Sequence, residues 1–179
     1  RTAYERAVDG LPLKRTDARG HSFAYGYDPA RRLTGLTNEN GERYRFGYDL
    51  LDRLSYESGF DRKLTAYHYN AGSELVRQDE YGSDRNAAEQ MLAALGGPTR
   101  ASQQPAAVPE QQSPQRSTEF ERDILGRLTR TVARDRHGRE QERVYHYDGN
   151  GNLIRAAAEG HVSAFDYNPS GELIAQHSW

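Results

Sequence analysis

One feature constrains this 179-residue chain above all others: an aromatic-X-aromatic-Asp/Asn signature returns along it, each time with Leu five positions after the Asp or Asn. The first copies are Tyr25-Gly26-Tyr27-Asp28 with Leu33, Phe46-Gly47-Tyr48-Asp49 with Leu54, and Tyr67-His68-Tyr69-Asn70 with Leu75. A weaker copy follows, Phe120-Glu121-Arg122-Asp123 with Leu128, in which Arg122 replaces the second aromatic. The last two are Tyr145-His146-Tyr147-Asp148 with Leu153 and Phe165-Asp166-Tyr167-Asn168 with Leu173. A degenerate earlier copy is read as ending at Leu13. Three positions after the Asp/Asn stands Gly126, Gly151 or Gly171, with Arg31, Asp52 and Ser73 in its place elsewhere. Leu-to-Leu spacings of 21, 21, 53, 25 and 20 predict an insertion of about 32 residues between the third and fourth copies. An internal period of this length is the mark of a repeat array.

Each part of the unit has a physical reading. Aromatics two apart fall on one face of a strand, so Tyr25 and Tyr27 are expected to stand side by side. Asp or Asn ends the strand, because its side chain can hydrogen-bond the backbone two residues on. Pro29, Pro169 and the glycines supply a tight turn, and Leu opens the return strand, as in Leu33-Thr34-Gly35-Leu36-Thr37. Asn40-Gly41, His137-Gly138 and Glu159-Gly160 mark the second turn, Asn-Gly being the strongest short hairpin signal. One period is one β-hairpin. The expected fold class is all-β, a meander of repeated antiparallel hairpins.

Composition takes its meaning from this repeat. Leu, Ile, Val and Phe together make only 29 of 179 residues, and mean hydropathy is −0.98. That is too little for a solitary globule, yet a net charge of −2 and twelve tyrosines are not the profile of a disordered chain. In a one-layer meander, tyrosine supplies the bulk while its hydroxyl reaches water or a neighbouring strand. A small β-sandwich is the competing reading, and the regular period argues against it.

The insertion differs in character. Asp84 caps an expected short helix to Leu95, with Ala87, Ala88, Met91, Leu92 and Leu95 at helical spacings. Residues 98–116 hold four of the seven prolines and no aromatic, Leu or Ile, as in a linker. The expected organisation is therefore repeats over 1–83, an insertion over 84–117, and repeats over 118–179.

The sequence contains no apolar run of about 18 residues, and no apolar h-region lies in the first 30. Zero cysteines exclude disulfides and thiolate chemistry, and 24 basic against 26 acidic side chains do not support a nucleic-acid footprint. Asp148-Gly149-Asn150-Gly151-Asn152 with Glu159 has the ligand spacing of a calcium loop, but Leu153 sits where that loop needs Gly, and strands flank it. His68 and His146 fill the repeat's X position, and His21, His137 and His161 adjoin turn glycines. No histidine pair has metal spacing and no Gly-X-Ser-X-Gly elbow occurs. The expectation is no enzyme, no cofactor and no metal; the residues of interest are those of the repeat itself.

Tyr145-His146-Tyr147-Asp148-Gly149-Asn150-Gly151-Asn152-Leu153, and its relatives through most of residues 10–179, resemble the YD repeats of the Rhs family. The short, Arg-rich copies look most like a bacterial Rhs polymorphic toxin. The resemblance implies a strand ribbon spiralling into a hollow shell around a C-terminal toxin domain. It further implies synthesis in the producer's cytoplasm and delivery to competing cells by type VI secretion. Partners so implied are neighbouring shell segments, the enclosed toxin and secretion-spike proteins. The family's Asp-Pro-X-Gly cleavage motif is not present: Asp28-Pro29 is followed by Ala30-Arg31-Arg32. The sequence thus reads as shell wall. The alternative is a carbohydrate- or cell-surface-binding module, for which exposed, aligned tyrosines would be needed.

Overall fold

In the computed structural model, residues 1–82 and 113–179 are described. They form fourteen strands and, among the described residues, no helix. The first eight are β1 (Ala3–Arg6), β2 (Pro12–Thr16), β3 (Ser22–Tyr27), β4 (Leu33–Thr37), β5 (Arg43–Tyr48), β6 (Leu54–Ser58), β7 (Leu64–Tyr69) and β8 (Leu75–Tyr81). The remainder are β9 (Arg116–Arg122), β10 (Leu128–Asp135), β11 (Glu140–Tyr147), β12 (Leu153–Ala158), β13 (His161–Tyr167) and β14 (Leu173–Ser178). They make one sheet whose spatial order is the chain order, with β1 and β14 at its edges. The all-β hairpin meander is the fold that the repeat spacing specifies. The expected helix from Asp84 and nearly all of the 98–116 linker lie outside the described residues; β9 already begins at Arg116.

Turn chemistry sets this architecture. At Asp49, the backbone N–H donates to the Arg53 carbonyl (2.9 Å), and the Asp52 N–H donates back to the Asp49 carbonyl (3.1 Å). The Asp49 carboxylate then accepts from the N–H groups of Leu51 (2.8 Å) and Arg53 (3.0 Å). Asp28, Asn70, Asp123, Asp148 and Asn168 close their turns through the same pair of backbone bonds. The fourth residue of each turn has positive φ: Gly126, Gly151 and Gly171, but also Arg31 (67°), Asp52 (60°) and Ser73 (63°). These three are the residues that stand in for glycine in the sequence pattern.

The far turns differ from expectation. Instead of a two-residue Asn40-Gly41 loop, Asn38 bonds the Glu42 carbonyl and Gly41 bonds back to Asn38, the same five-residue closure. Asp17, Gly59 and Asp135 repeat it. Asn38 wins because its side-chain oxygen accepts from both Asn40 and Glu42, which a two-residue turn cannot offer. Glu159-Gly160 is a two-residue loop, with Ala158 opposite His161. The degenerate first copy also shifts by one: Ala7 occupies the Asp position and Pro12 the Leu position, opposite Arg6, while Leu13 is exposed.

Arg62 holds φ of 63° without being glycine, a conformation that costs an L-residue roughly 1 kcal/mol. Arg62→Gly is expected to raise stability by about 1 kcal/mol in urea denaturation. Gly20→Ala, at φ 89° with open space around the new methyl, is expected to lower it by a similar amount. Equal midpoints for the two variants would contradict this account.

The described residues divide into two units. In residues 1–67 with 80–82 and Ser113, Tyr56, Leu64, Ala66 and Tyr81 form a buried cluster. The Gly47-facing side of β6 carries Tyr56, whereas Phe46 lies opposite Glu57. Tyr44 stacks on Phe46 with ring centroids 4.8 Å apart, and Phe60 packs edge-on to Tyr44 and Phe23. In the other unit, residues 68–79 with 114–179, Val132 is 2% exposed between two ion-paired arginines. Arg130 bridges Glu121 and Glu142, and Arg134 bridges Glu119 and Glu140. Their alkyl stems supply cover that this composition lacks in aliphatics.

Candidate functional site

The repeat residues form two rows of ties between strands. The first row is the turn pair. Arg32, Arg53 and Arg127 each place Nε 2.7 Å from the carboxylate four residues earlier, on Asp28, Asp49 and Asp123. Where the residue is Asn, the partner is Glu: the amides of Asn38, Asn70 and Asn168 donate to Glu42, Glu74 and Glu172. Asp148 pairs with the Asn152 amide. The backbone N–H of Arg32, more than burial, sets the Asp28 carboxyl, which lies below its ordinary value. Burial pushes Asp49 and Asp123 upward, and the hydrogen bonds from Arg53 and Arg127 outweigh it, so both also lie low. These pairs were legible in the sequence as Asp with a cation, or Asn with Glu, at i and i+4.

The second row belongs to the second aromatic. Tyr48 donates its hydroxyl to the Leu33 carbonyl (2.9 Å), Tyr147 to Leu128 (2.8 Å) and Tyr167 to Leu153 (2.9 Å). Tyr27 does the same to Pro12, at 3.0 Å. In each case the acceptor opens the preceding strand, beyond the last laddered pair, where its carbonyl would otherwise lack a partner. The register slips directly before Tyr27, Tyr48, Tyr147 and Tyr167. The slip skips a residue of the following strand (Thr34, between Leu33 and Gly35), so β3 keeps its two-residue alternation, with Tyr25 and Tyr27 half-buried on either side of exposed Gly26. Guanidinium groups cover two of these rings, Arg32 over Tyr48 and Arg127 over Tyr147, each 4.9 Å from the centroid. Where Arg replaces the tyrosine, it turns back on its own hairpin: Arg6 donates to the Gly10 carbonyl and Arg122 to the Gly126 carbonyl.

The remaining repeat positions are half-buried. Tyr25, Phe46, Tyr67, Phe120, Tyr145 and Phe165 all fall in that class, as do Leu33, Leu54, Leu75, Leu128 and Leu153. Leu173 is exposed, since β14 is an edge strand. Tyr67 donates to Glu57 at 2.8 Å.

A third feature had no signal in the repeat. Asp79 on β8 is fully buried and accepts from His68 Nε2 (2.8 Å), Ser117 Oγ (2.7 Å) and Arg77 Nη2 (2.5 Å). Burial pushes its carboxyl up, but the bonds from His68, Arg77 and Ser117 prevail and hold it far below the usual carboxylate range. Ser117 bonds to the carboxylate and not to the histidine, so this is not the relay of a nucleophilic triad. Asp79 is a knot joining β7, β8 and β9.

Other candidates resolve into turns. The Asp148 carboxylate accepts from Asn150 and Asn152, which uses the oxygens a cation would need. His161 meets Ser163 at 3.3 Å while His177 pairs with Asp166 at 3.0 Å, two separate exposed contacts. Among the described residues there is no group of three metal-ligating side chains, and no helix long and apolar enough to cross a membrane. A shallow depression of about 270 Å³ over the paired Gly26 and Gly35 is rimmed by Arg43 and Arg45.

Residues 8–43 match the RHS Repeat family. No curated protein matches the sequence. Among solved structures, a Tc holotoxin pore of Photorhabdus luminescens carrying TccC3 has 16% identity and a TM-score of 0.67, covering 99% of this chain. The TcdB2-TccC3 crystal structure aligns with 16% identity and a TM-score of 0.70 over 99% of the chain. The same protein pair without its hypervariable C-terminal region gives 16% and 0.68, again over 99%. The chain spans 9% of the length of each of these matched chains. At that identity the likeness is one of fold, and it runs over nearly the whole chain. The chain is thus similar to the RHS Repeat family over residues 8–43, and the same hairpin unit recurs to Leu173.

Proposed function

We propose that this chain is a wall segment of an Rhs-type toxin shell, a structural module that helps enclose a toxin domain for delivery to another cell. The tyrosine row carries the reading. Tyr27, Tyr48, Tyr147 and Tyr167 each direct the hydroxyl to the preceding strand, so the repeat's defining residue joins one hairpin to the last. The same observation weakens the carbohydrate-binding alternative, which needs those tyrosines presented to solvent. Support for enclosure comes from the fold shared with TccC3-containing complexes, a likeness without sequence-level closeness. Delivery by a type VI spike, competition between bacteria, and synthesis in the producer's cytoplasm are the finer parts of this proposal and follow the family resemblance. Neighbouring shell segments and the enclosed toxin are the proposed partners.

The test is electron microscopy of the intact protein that carries these repeats. A closed hollow particle, with an antibody raised against this chain marking its wall, is the expected image. An extended, open array would overturn the proposal.

A further inference from the structure

Arg43 and Arg45 are two positive charges that the sheet does not answer. They are alternate residues of β5, both exposed and on one face, so their Cα atoms lie about 7 Å apart. Their cross-strand neighbours are Thr37 and Gly35 on β4, with Ser58 on β6 opposite Arg45. None of these is acidic. The nearby acids are engaged elsewhere: Glu42 accepts from the Asn38 amide (2.7 Å), and Glu57 lies opposite Phe46, on the other face, where Tyr67 donates to it. Among the described residues neither guanidinium has an ion-pair partner. Arg130 and Arg134 show the usual answer to strand arginines in this chain, glutamates at alternate positions: Glu119 and Glu121 on one side, Glu140 and Glu142 on the other. Beside Arg45 the surface is also open to a backbone. Gly26 faces Gly35 across β3 and β4, and the depression they leave carries Thr34, Thr37 and the two arginines on its rim.

We propose that this trough over β3, β4 and β5 is a docking site for an extended acidic segment of a partner protein, whose carboxylates at alternate positions pair with Arg43 and Arg45. Charge and spacing carry the argument together. Two guanidinium groups this close repel one another, and a ligand that neutralises both is favoured over one that neutralises either. Each presents a planar fork of donors that a carboxylate can accept in bidentate fashion. Alternate side chains of an extended strand repeat at the same spacing of about 7 Å, so a single Glu-X-Glu brings both carboxylates over both forks at once. The segment's backbone then crosses Gly26 and Gly35, where no side chain holds it off, with the hydroxyls of Thr34 and Thr37 at hand as donors. The proposal does not depend on the wall reading; it concerns one face of one unit.

The probe is a capped Thr-Glu-Thr-Glu-Thr peptide, titrated onto the isotope-labelled 179-residue chain at about 50 mM salt and followed by NMR. Saturable shifts are expected at the amides of Gly26, Gly35, Thr37, Arg43 and Arg45. Replacing either glutamate of the peptide by glutamine should weaken binding about five-fold. A Thr-Glu-Glu-Thr-Thr peptide of equal charge, whose carboxylates point to opposite sides when extended, should be weaker by a similar factor. Arg43→Gln with Arg45→Gln in the chain should abolish binding and leave the thermal midpoint unchanged, since both side chains are exposed and unpaired. Gly26→Ala puts a methyl in the trough with no atom closer than Thr34 Oγ1 at 3.7 Å, and should weaken binding about three-fold with the arginines untouched. No binding, equal affinity for the adjacent-glutamate peptide, or undiminished binding to either variant chain would each overturn the proposal. Displacement of the peptide by heparin or polyphosphate at a lower concentration of charge than by free peptide would also overturn it, and would assign the arginine pair to a polyanion.

Discussion

Gly47→Ala is expected to destabilise the chain by about 3 kcal/mol, while Gly26→Ala, at the same place in the neighbouring copy, changes stability by less than about 0.5 kcal/mol. A methyl on Gly47 would lie 1.9 Å from Tyr56 Cε1 and 2.3 Å from Cζ, whereas the nearest atom to one on Gly26 is Thr34 Oγ1 at 3.7 Å. Tyr56 is directly cross-strand from Gly47 and 7% exposed, packed with Leu64, Ala66 and Tyr81. Its ring cannot swing aside without leaving that cluster. The cost is thus the ring's burial and not the methyl's. A double-mutant cycle separates the two: Tyr56→Ala made in the Gly47→Ala background should cost about 2 kcal/mol less than in the parent. Additive effects would show that the ring and the glycine are independent.

The second large effect comes from Asp79. Arg77→Met is expected to cost about 3 kcal/mol at neutral pH, far more than a half-exposed arginine ordinarily contributes, because it leaves a fully buried carboxylate short of its main counter-charge. Adding Asp79→Leu should recover more than half of that loss, since an apolar side chain carries no desolvation debt, and the side chains of His68 and Ser117 can both reach water. The parent's contribution from Asp79 follows from the sign of its shift. A carboxyl held below its unfolded value stabilises fully above about pH 4 and loses that contribution only in stronger acid. Urea titrations at pH 7 on the parent, the single and the double variant decide the matter. A double variant weaker than Arg77→Met alone would mean the site is held by shape and not by charge.

How much of this was written in the sequence depends on the range of the interaction. The hairpins, their period and the positions needing positive φ all rest on contacts within five residues, so Arg31, Asp52 and Ser73 could be placed as glycine stand-ins from spacing alone. The i, i+4 turn pairs were equally local and were there to be read in Asp49-Arg53 against Asn70-Glu74. The tyrosine hydroxyls were harder, because the acceptor is a backbone carbonyl 14 to 19 residues back and carries no residue-specific mark. Asp79 had no local signal at all: its partners lie 11, 2 and 38 residues away, across three strands. Gly47 stands between these cases. Gly26 and Gly47 look alike in the repeat, and only Tyr56 on the facing strand tells them apart.

The direction of the tyrosine bonds bears on how such a ribbon can change length. Each hairpin closes its own turn, but its tyrosine is answered by the strand before it. A deletion that removed half a period would bring two strands of the wrong kind together at the join. Excision from any position to its equivalent one period on keeps every hydroxyl facing a carbonyl and every bulge in register. Loss from within the ribbon is therefore quantised in whole periods, whereas extra residues are accommodated between strands, as between β8 and β9.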